Sequence, residues 1–199
     1  MRHRVVPLNP DRPLQAYVVG LAIGDGNLSN PNGRAVRLRI TCDTKYPALI
    51  EKIRSSLEAL LPKNRVSIIG SKGNFVNVSV YSNHLELLLG WKATGGSKHK
   101  QQICIPEWIS SDPALTIPCL RGLIETDGSV YRDGGYMRVI FSTVISKLAC
   151  QVQTMITGLG FQPRLYCVPQ GPPGRSVKYQ VRLSRNTSSF LELVQPLKA

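Results

Sequence analysis

The sequence predicts an α+β protein made of one folding unit used twice, and three observations carry that prediction. The nonapeptide VVGLAIGDG at residues 18–26 returns in altered form as LRGLIETDG at 120–128. Similar successions of helical and strand-like hydrophobic periods follow the two copies. In the clearest strand-like runs, apolar residues alternate with Arg, Lys, Gln, Asn, Ser or Tyr, so each strand offers one face to a core and keeps one polar face.

In the first copy, residues 1–12 read as an arm and Pro13 suits the first turn of a helix through Ile23. Gly20 and Gly24 lie four apart on one face of that helix, as Gly122 and Thr126 do in the second copy, so two such helices can pack with little side chain between their axes. Each copy ends in Asp-Gly, where glycine suits a left-handed residue that closes a helix. Residues 27–33 have the composition of a turn or hairpin loop. In the strand 35–42, Val36, Leu38, Ile40 and Cys42 alternate with Arg37, Arg39 and Thr41, and Arg34 precedes it. A helix over 45–61 carries Ile50, Ile53, Leu57 and Leu60 at helical spacing and stops at Pro62. A hairpin follows from 65–69 and 74–81, with Lys72 in its turn. Val76, Val78 and Val80 face one way, and Phe75, Asn77, Ser79 and Tyr81 the other. Ser82 or Asn83 can cap a short helix to Leu89, which Trp91 anchors.

Residues 92–100, KATGGSKHK, read as a mobile basic linker, and 103–118 leads to the second motif. Three segments follow: a first half over 1–91, a linker over 92–117 and a second half over 118–199. In the second half, 129–135 is a turn-rich hairpin carrying Arg132. The strand 136–142 sets Tyr136, Arg138, Ile140 and Ser142 opposite Met137, Val139 and Phe141. Ile140 on a polar face meets either a thymine methyl or a covering loop. The helix 146–159 ends at Gly160. The last hairpin, 164–168 with 175–184, turns at GPPG and offers Arg164, Tyr166, Lys178, Gln180 and Arg182. A final helix spans 188–197, and Lys198 follows it.

Lys and Arg number 25 against 12 Asp and Glu, a net charge of +13, which favours a polyanionic partner, nucleic acid first. No apolar run approaches the roughly 20 residues of a membrane span, and the N-terminus lacks a secretory apolar region, so an intracellular protein, cytoplasmic or organellar, is expected. The five cysteines include no CxxC pair and read as reduced core thiols. Asp25 and Asp127 are the acids matched across the repeat, since Glu125 aligns with Ile23. Either Asp alone would be an ordinary helix stop. Two together, at negative helix ends, call for a cation between them. Carboxylates with last-turn carbonyls make an all-oxygen site suited to Mg²⁺.

Both nonapeptides resemble the signature of the LAGLIDADG homing endonucleases, two copies in one chain, 102 residues apart (127 − 25). The resemblance covers residues from about Pro13 onward. It implies two pseudo-symmetric αββαββα repeats with motif helices at the interface and antiparallel sheets forming a DNA-binding saddle. It further implies a monomeric, divalent-metal-dependent endonuclease that hydrolyses both strands of a long, asymmetric DNA target and leaves short 3′ overhangs. The ion would be Mg²⁺, with Mn²⁺ or Ca²⁺ able to take the same sites. Asp25 and Asp127 would hold it, with the carbonyls of Gly24 and Thr126 as further ligands. A family lysine near the cleaved phosphates maps to Lys98 or Lys100, and Lys198 stands where the second such lysine would be. The DNA-contacting set is then Arg34, Arg37, Arg39, Thr41, Lys72, Phe75, Asn77, Ser79, Arg132, Arg138, Ser142, Arg164, Tyr166, Lys178, Gln180 and Arg182. An RNA maturase and a non-catalytic DNA-binding protein of the same fold are the alternatives.

Overall fold

The computed structural model of the chain describes residues 8–70, 73–171 and 177–198. Its first repeat is α1 (Arg12–Asp25), β1 (Gly26–Ser29), β2 (Arg37–Asp43), α2 (Pro47–Leu60), β3 (Ser67–Gly70), β4 (Phe75–Tyr81) and α3 (Leu85–Leu89). A short α4 (Glu107–Ser110) leads to the second: α5 (Pro113–Asp127), β5 (Gly128–Asp133), β6 (Tyr136–Thr143), α6 (Ser146–Gly158), β7 (Arg164–Pro169), β8 (Val177–Leu183) and α7 (Thr187–Val194). Both sheets are antiparallel with equivalent strand order, β1-β2-β4-β3 and β5-β6-β8-β7. The expected α+β duplication is the fold observed.

The motif helices start alike. Asp11 accepts the Leu14 amide at 2.9 Å and Asp112 the Ala114 amide at 2.9 Å, each just before a proline that needs no donor in the first turn. From Ala16 to Gly24 every residue of α1 is buried, and a helix apolar all round belongs inside. It packs on α5 so closely that a Cβ built on Gly20 would strike the Cys119 carbonyl. One on Gly122 would lie 2.5 Å from the Tyr17 carbonyl. The core continues on the inner face of each sheet, through Leu38, Ile40, Val78 and Val80 in one half and Val139, Phe141, Val181 and Leu183 in the other.

Several boundaries differ from expectation for physical reasons. Gly26 and Gly128 are not left-handed caps. Their φ values of −77° and −87° are extended, and each chain passes straight from helix into strand. Glycine is needed because a Cβ at Gly26 would collide with the main chain of Ala22, and one at Gly128 would lie 2.5 Å from Ile124 Cα. Residues 27–33 are therefore partly strand β1, and 129–133 belongs to strand β5, with Gly134 and Gly135 making the turn at φ 55° and 84°. Helix α5 begins at Pro113 and contains Pro118, forgoing one main-chain hydrogen bond. In α2 the buried apolar positions are Leu49, Ile53, Leu57 and Leu60, with Ile50 half-buried. Helix α7 stops at Val194 because Pro196 follows the left-handed Gln195. The cysteines are free, but only Cys42 and Cys119 are core thiols; Cys150 and Cys167 are exposed. Residues 92–102 do not hang as a free linker. Gln101 ties them by accepting the Lys92 amide at 2.9 Å and donating to the carbonyls of Lys92 and Gly96.

Candidate functional site

The helix ends deliver two acids to one place. α1 and α5 terminate at Asp25 and Asp127, where the last-turn carbonyls carry partial negative charge. Burial first, then the nearby Asp25 charge, pushes the Asp127 carboxyl up to about 6 from 3.8. Burial likewise raises Asp25, against the pull of Lys198 and Lys98. The two ammonium groups answer this excess of negative charge. Lys98 Nζ donates to the carbonyls of Ile23 at 2.6 Å and Ala22 at 3.4 Å, and also to Gly24. Lys198 Nζ donates to the Thr126 carbonyl at 3.2 Å and lies 5.3 Å from the Tyr46 ring. Desolvation lowers the Lys98 pKa although both aspartates favour its charged form.

The arrangement is crossed. Asp25 lines a recess with Thr126 and Lys198, together with Thr41, Cys42 and Asp43. Asp127 lines another with Gly24 and Lys98, together with His99, Ser142 and Lys178. Each recess thus joins an acid from one repeat to a helix-end carbonyl and a lysine from the other. Lys98 is the lysine beside the acids. Lys100 is exposed, with only its amide engaged, by Ser97 Oγ at 3.1 Å, so the structure does not bring its side chain to the site.

A divalent cation fits this donor set. Among the described residues no three His, Cys, Asp or Glu side chains gather, so an ion in either recess would rest on one of two mutually repelling carboxylates and on main-chain oxygens. That is the ligand class of hard ions such as Mg²⁺. The ammonium groups on the Gly24 and Thr126 carbonyls already show that cations are held there.

The outer faces of the sheets carry most of the expected contact residues, because partners in register share a face. In the first sheet Arg37 pairs with Tyr81, Arg39 with Ser79 and Thr41 with Asn77, and β1 adds Asn27 and Ser29 beside Arg39 and Arg37. In the second, Ser142 pairs with Gln180 and Gln180 with Tyr166, while Arg182 stands between Ile140 and Arg164. Several of these side chains are held ready. Arg182 lies 4.6 Å from the Tyr166 ring and donates through Nε to Gln180 at 3.1 Å. Arg37 donates to Ser29 Oγ at 3.2 Å and Thr41 Oγ1 to Asn77 at 3.0 Å. Arg138 makes an ion pair of 3.7 Å with Asp133, and Phe75 and Lys178 continue the same faces. Arg34 is exposed on the loop before β2.

Two residues differ from expectation. Arg132 pairs with Met137 rather than Arg138, which turns it to the opposite face of the hairpin, since side chains alternate along a strand. Ser79 shares the outer face but is only 4% exposed between Arg39 and Ser67. Lys72 lies outside the described residues. Missed at the sequence level were Asn27, Ser29, Ser67, Ile69, Ser129 and Tyr131, all on strands too short to show an alternation. Ile140 sits in register with Ser129 and Arg182.

Comparison with known proteins is consistent with these features. Residues 117–195 match the family model described as a LAGLIDADG-like domain. No curated protein matches the chain. Among solved structures, I-DmoI in complex with DNA and Mn superposes with a TM-score of 0.68 at 19% identity, covering 92% of this chain and 96% of that one. A complex of I-DmoI with DNA and Ca gives 0.61 at 18% identity, covering 92% and 88%. The N-terminal LAGLIDADG domain of DUF199/WhiA gives 0.60 at 13%, covering 95% and 86%. At these identities the likeness concerns the fold. The chain thus carries a match to the LAGLIDADG-like domain over residues 117–195 and shares its two-repeat fold with these solved structures.

Proposed function

We propose that the chain is a site-specific double-strand DNA endonuclease of the homing type, dependent on a divalent metal, Mg²⁺ first, and acting as a monomer on a long asymmetric target. The observation that carries this reading is the pair of crossed recesses, each with an acid, a helix-end carbonyl and a lysine, and each lined by strand ends of one basic-faced sheet. Two recesses suit two cuts, one per strand. The solved complexes of I-DmoI with DNA and Mn, Mg or Ca support the choice of partner and ion class.

Asp25 and Asp127, with the carbonyls of Gly24 and Thr126, would hold the ions. When bound, these supply a water activated at neutral pH and stabilisation of the leaving oxygen. Lys98 and Lys198 lie where their charge can steady the phosphate being cut in each recess. Arg37, Arg39, Arg138, Gln180 and Arg182 would read base edges, since arginine matches guanine O6 and N7 and glutamine matches adenine N6 and N7. Because the two outer faces differ, so would the two half-sites. Short 3′ overhangs belong to this proposal.

The test is a selection of cleavable sites from a randomised library, followed by plasmid cleavage. Asp25→Asn and Asp127→Asn should each remove double-strand cutting while binding persists, because they keep shape and lose the charge that binds metal. Full cutting by both variants sinks the reading. Binding by the wild type without nicking in any divalent metal points instead to a DNA-binding protein that does not cut.

A further inference from the structure

The reading above leaves Glu125 without a role, yet it is 1% exposed and the only charged side chain in the core among the described residues. Both of its oxygens are engaged. Oε2 accepts the Tyr17 hydroxyl at 2.6 Å across the helix pair, and Oε1 accepts the Leu197 amide at 2.9 Å. One turn earlier on the same helix, Arg121 Nε donates to the Val194 carbonyl at 2.6 Å and a terminal nitrogen to Gln195 Oε1 at 3.2 Å. Two side chains four apart on α5 therefore grip the chain where α7 has just ended. Gln195 turns at φ 51°, Pro196 is buried, Leu197 is held by its amide, and Lys198 reaches Thr126 beside Asp25.

The first repeat has no such grip. The positions equivalent to Arg121 and Glu125 are Val19 and Ile23, both buried and apolar. Its lysine, Lys98, rides on a loop closed by Gln101 and reaches three carbonyls unaided. Lys198 makes one such bond, and Leu197 beside it has a side chain 49% exposed, so packing of that side chain holds it weakly. A carboxylate suits the task because it accepts from a hydroxyl and an amide at once; an apolar residue at 125 would leave the amide unbonded.

We propose that Arg121 and Glu125 form a latch that fixes residues 195–198 against α5 and so sets Lys198 at the Asp25 recess. Glu125 is then a positioning residue for one of the two strand cuts. This rests on the nuclease reading and adds an asymmetry to it.

The test uses a cleavable duplex with a different dye on each 5′ end. Glu125→Leu removes both acceptors at similar size; Leu197→Pro deletes the donor amide without touching the helices. Both should slow the same strand about 10- to 100-fold and leave the other within about twofold of wild type, since small misplacements of a site group cost that much. Lys198→Met should slow that same strand, and Lys98→Met the opposite one. Hydrogen exchange gives a readout apart from cutting: the Leu197 amide is protected in the wild type and exchanges faster in Glu125→Leu. Equal slowing of both strands, or wild-type rates in both latch variants, overturns the proposal. If Glu125→Leu does not fold, Leu197→Pro decides. A wild type that binds DNA and cuts neither strand overturns the nuclease reading, and the positioning role with it.

Discussion

At the scale of single residues the site is a problem in charge. Two carboxylates share the negative ends of two buried helices, and two lysines offset them. Asp127 has a folded pKa of about 6 against 3.8, so the stability tied to its protonation is present below about 3.8 and lost as pH rises through about 6. The ionised pair should therefore weaken the metal-free protein at neutral pH. Asp127→Asn is expected to melt higher than wild type by a margin that grows from about pH 4.5 to about pH 7.5, and Mg²⁺ to raise the wild type but not the variant. Calorimetry at both pH values checks this; a margin independent of pH contradicts it. Asp25 and Asp127 could be picked from the sequence because they recur. Glu125 could not, because its importance lies in partners 108 and 72 residues away, Tyr17 and Leu197.

At the scale of elements, the small residues of the motifs do two different things. Gly20 and Gly122 let α1 and α5 touch, while Gly26 and Gly128 let each chain leave its helix directly as a strand. Gly122→Ala should destabilise by about 1–3 kcal/mol, because the added methyl meets main chain that cannot move aside. Gly158→Ala, where nothing lies within 4 Å, should be neutral or stabilising by up to about 1 kcal/mol. Chemical denaturation of both variants measures the contrast, and equal effects would refute the close-packing account. Helices with strong periodicity, α2 and α6, were legible. The strands β1 and β5 were not, since four to six residues rich in turn formers read as loops until a neighbour pairs with them.

At the scale of the molecule, the excess of basic residues becomes useful through placement. Most of the expected cationic side chains fall on the two outer sheet faces or the adjoining loops, and Arg132 is the exception among the described residues. Each phosphate contact adds about −0.9 to the slope of log K against log salt concentration, so Arg34→Ala should reduce that slope by about one unit while preserving sequence preference. Arg182→Ala should instead relax preference at one base pair by about 1–3 kcal/mol. Titrations of specific and scrambled duplexes at several salt concentrations separate the two effects.

By itself the sequence determined the duplication, the buried motif helices, their terminal acids and the alternating basic strands, because these are properties of local period and of one repeat compared with the next. Only the tertiary structure decided that each recess is built across the repeats, that Lys98 rather than Lys100 lines one of them, and that Glu125 accepts the amide next to Lys198, which lines the other with Asp25. The physical reason is that charge pairing and hydrogen bonding act through space, over a few ångströms, between groups whose separation along the chain carries no trace of the contact.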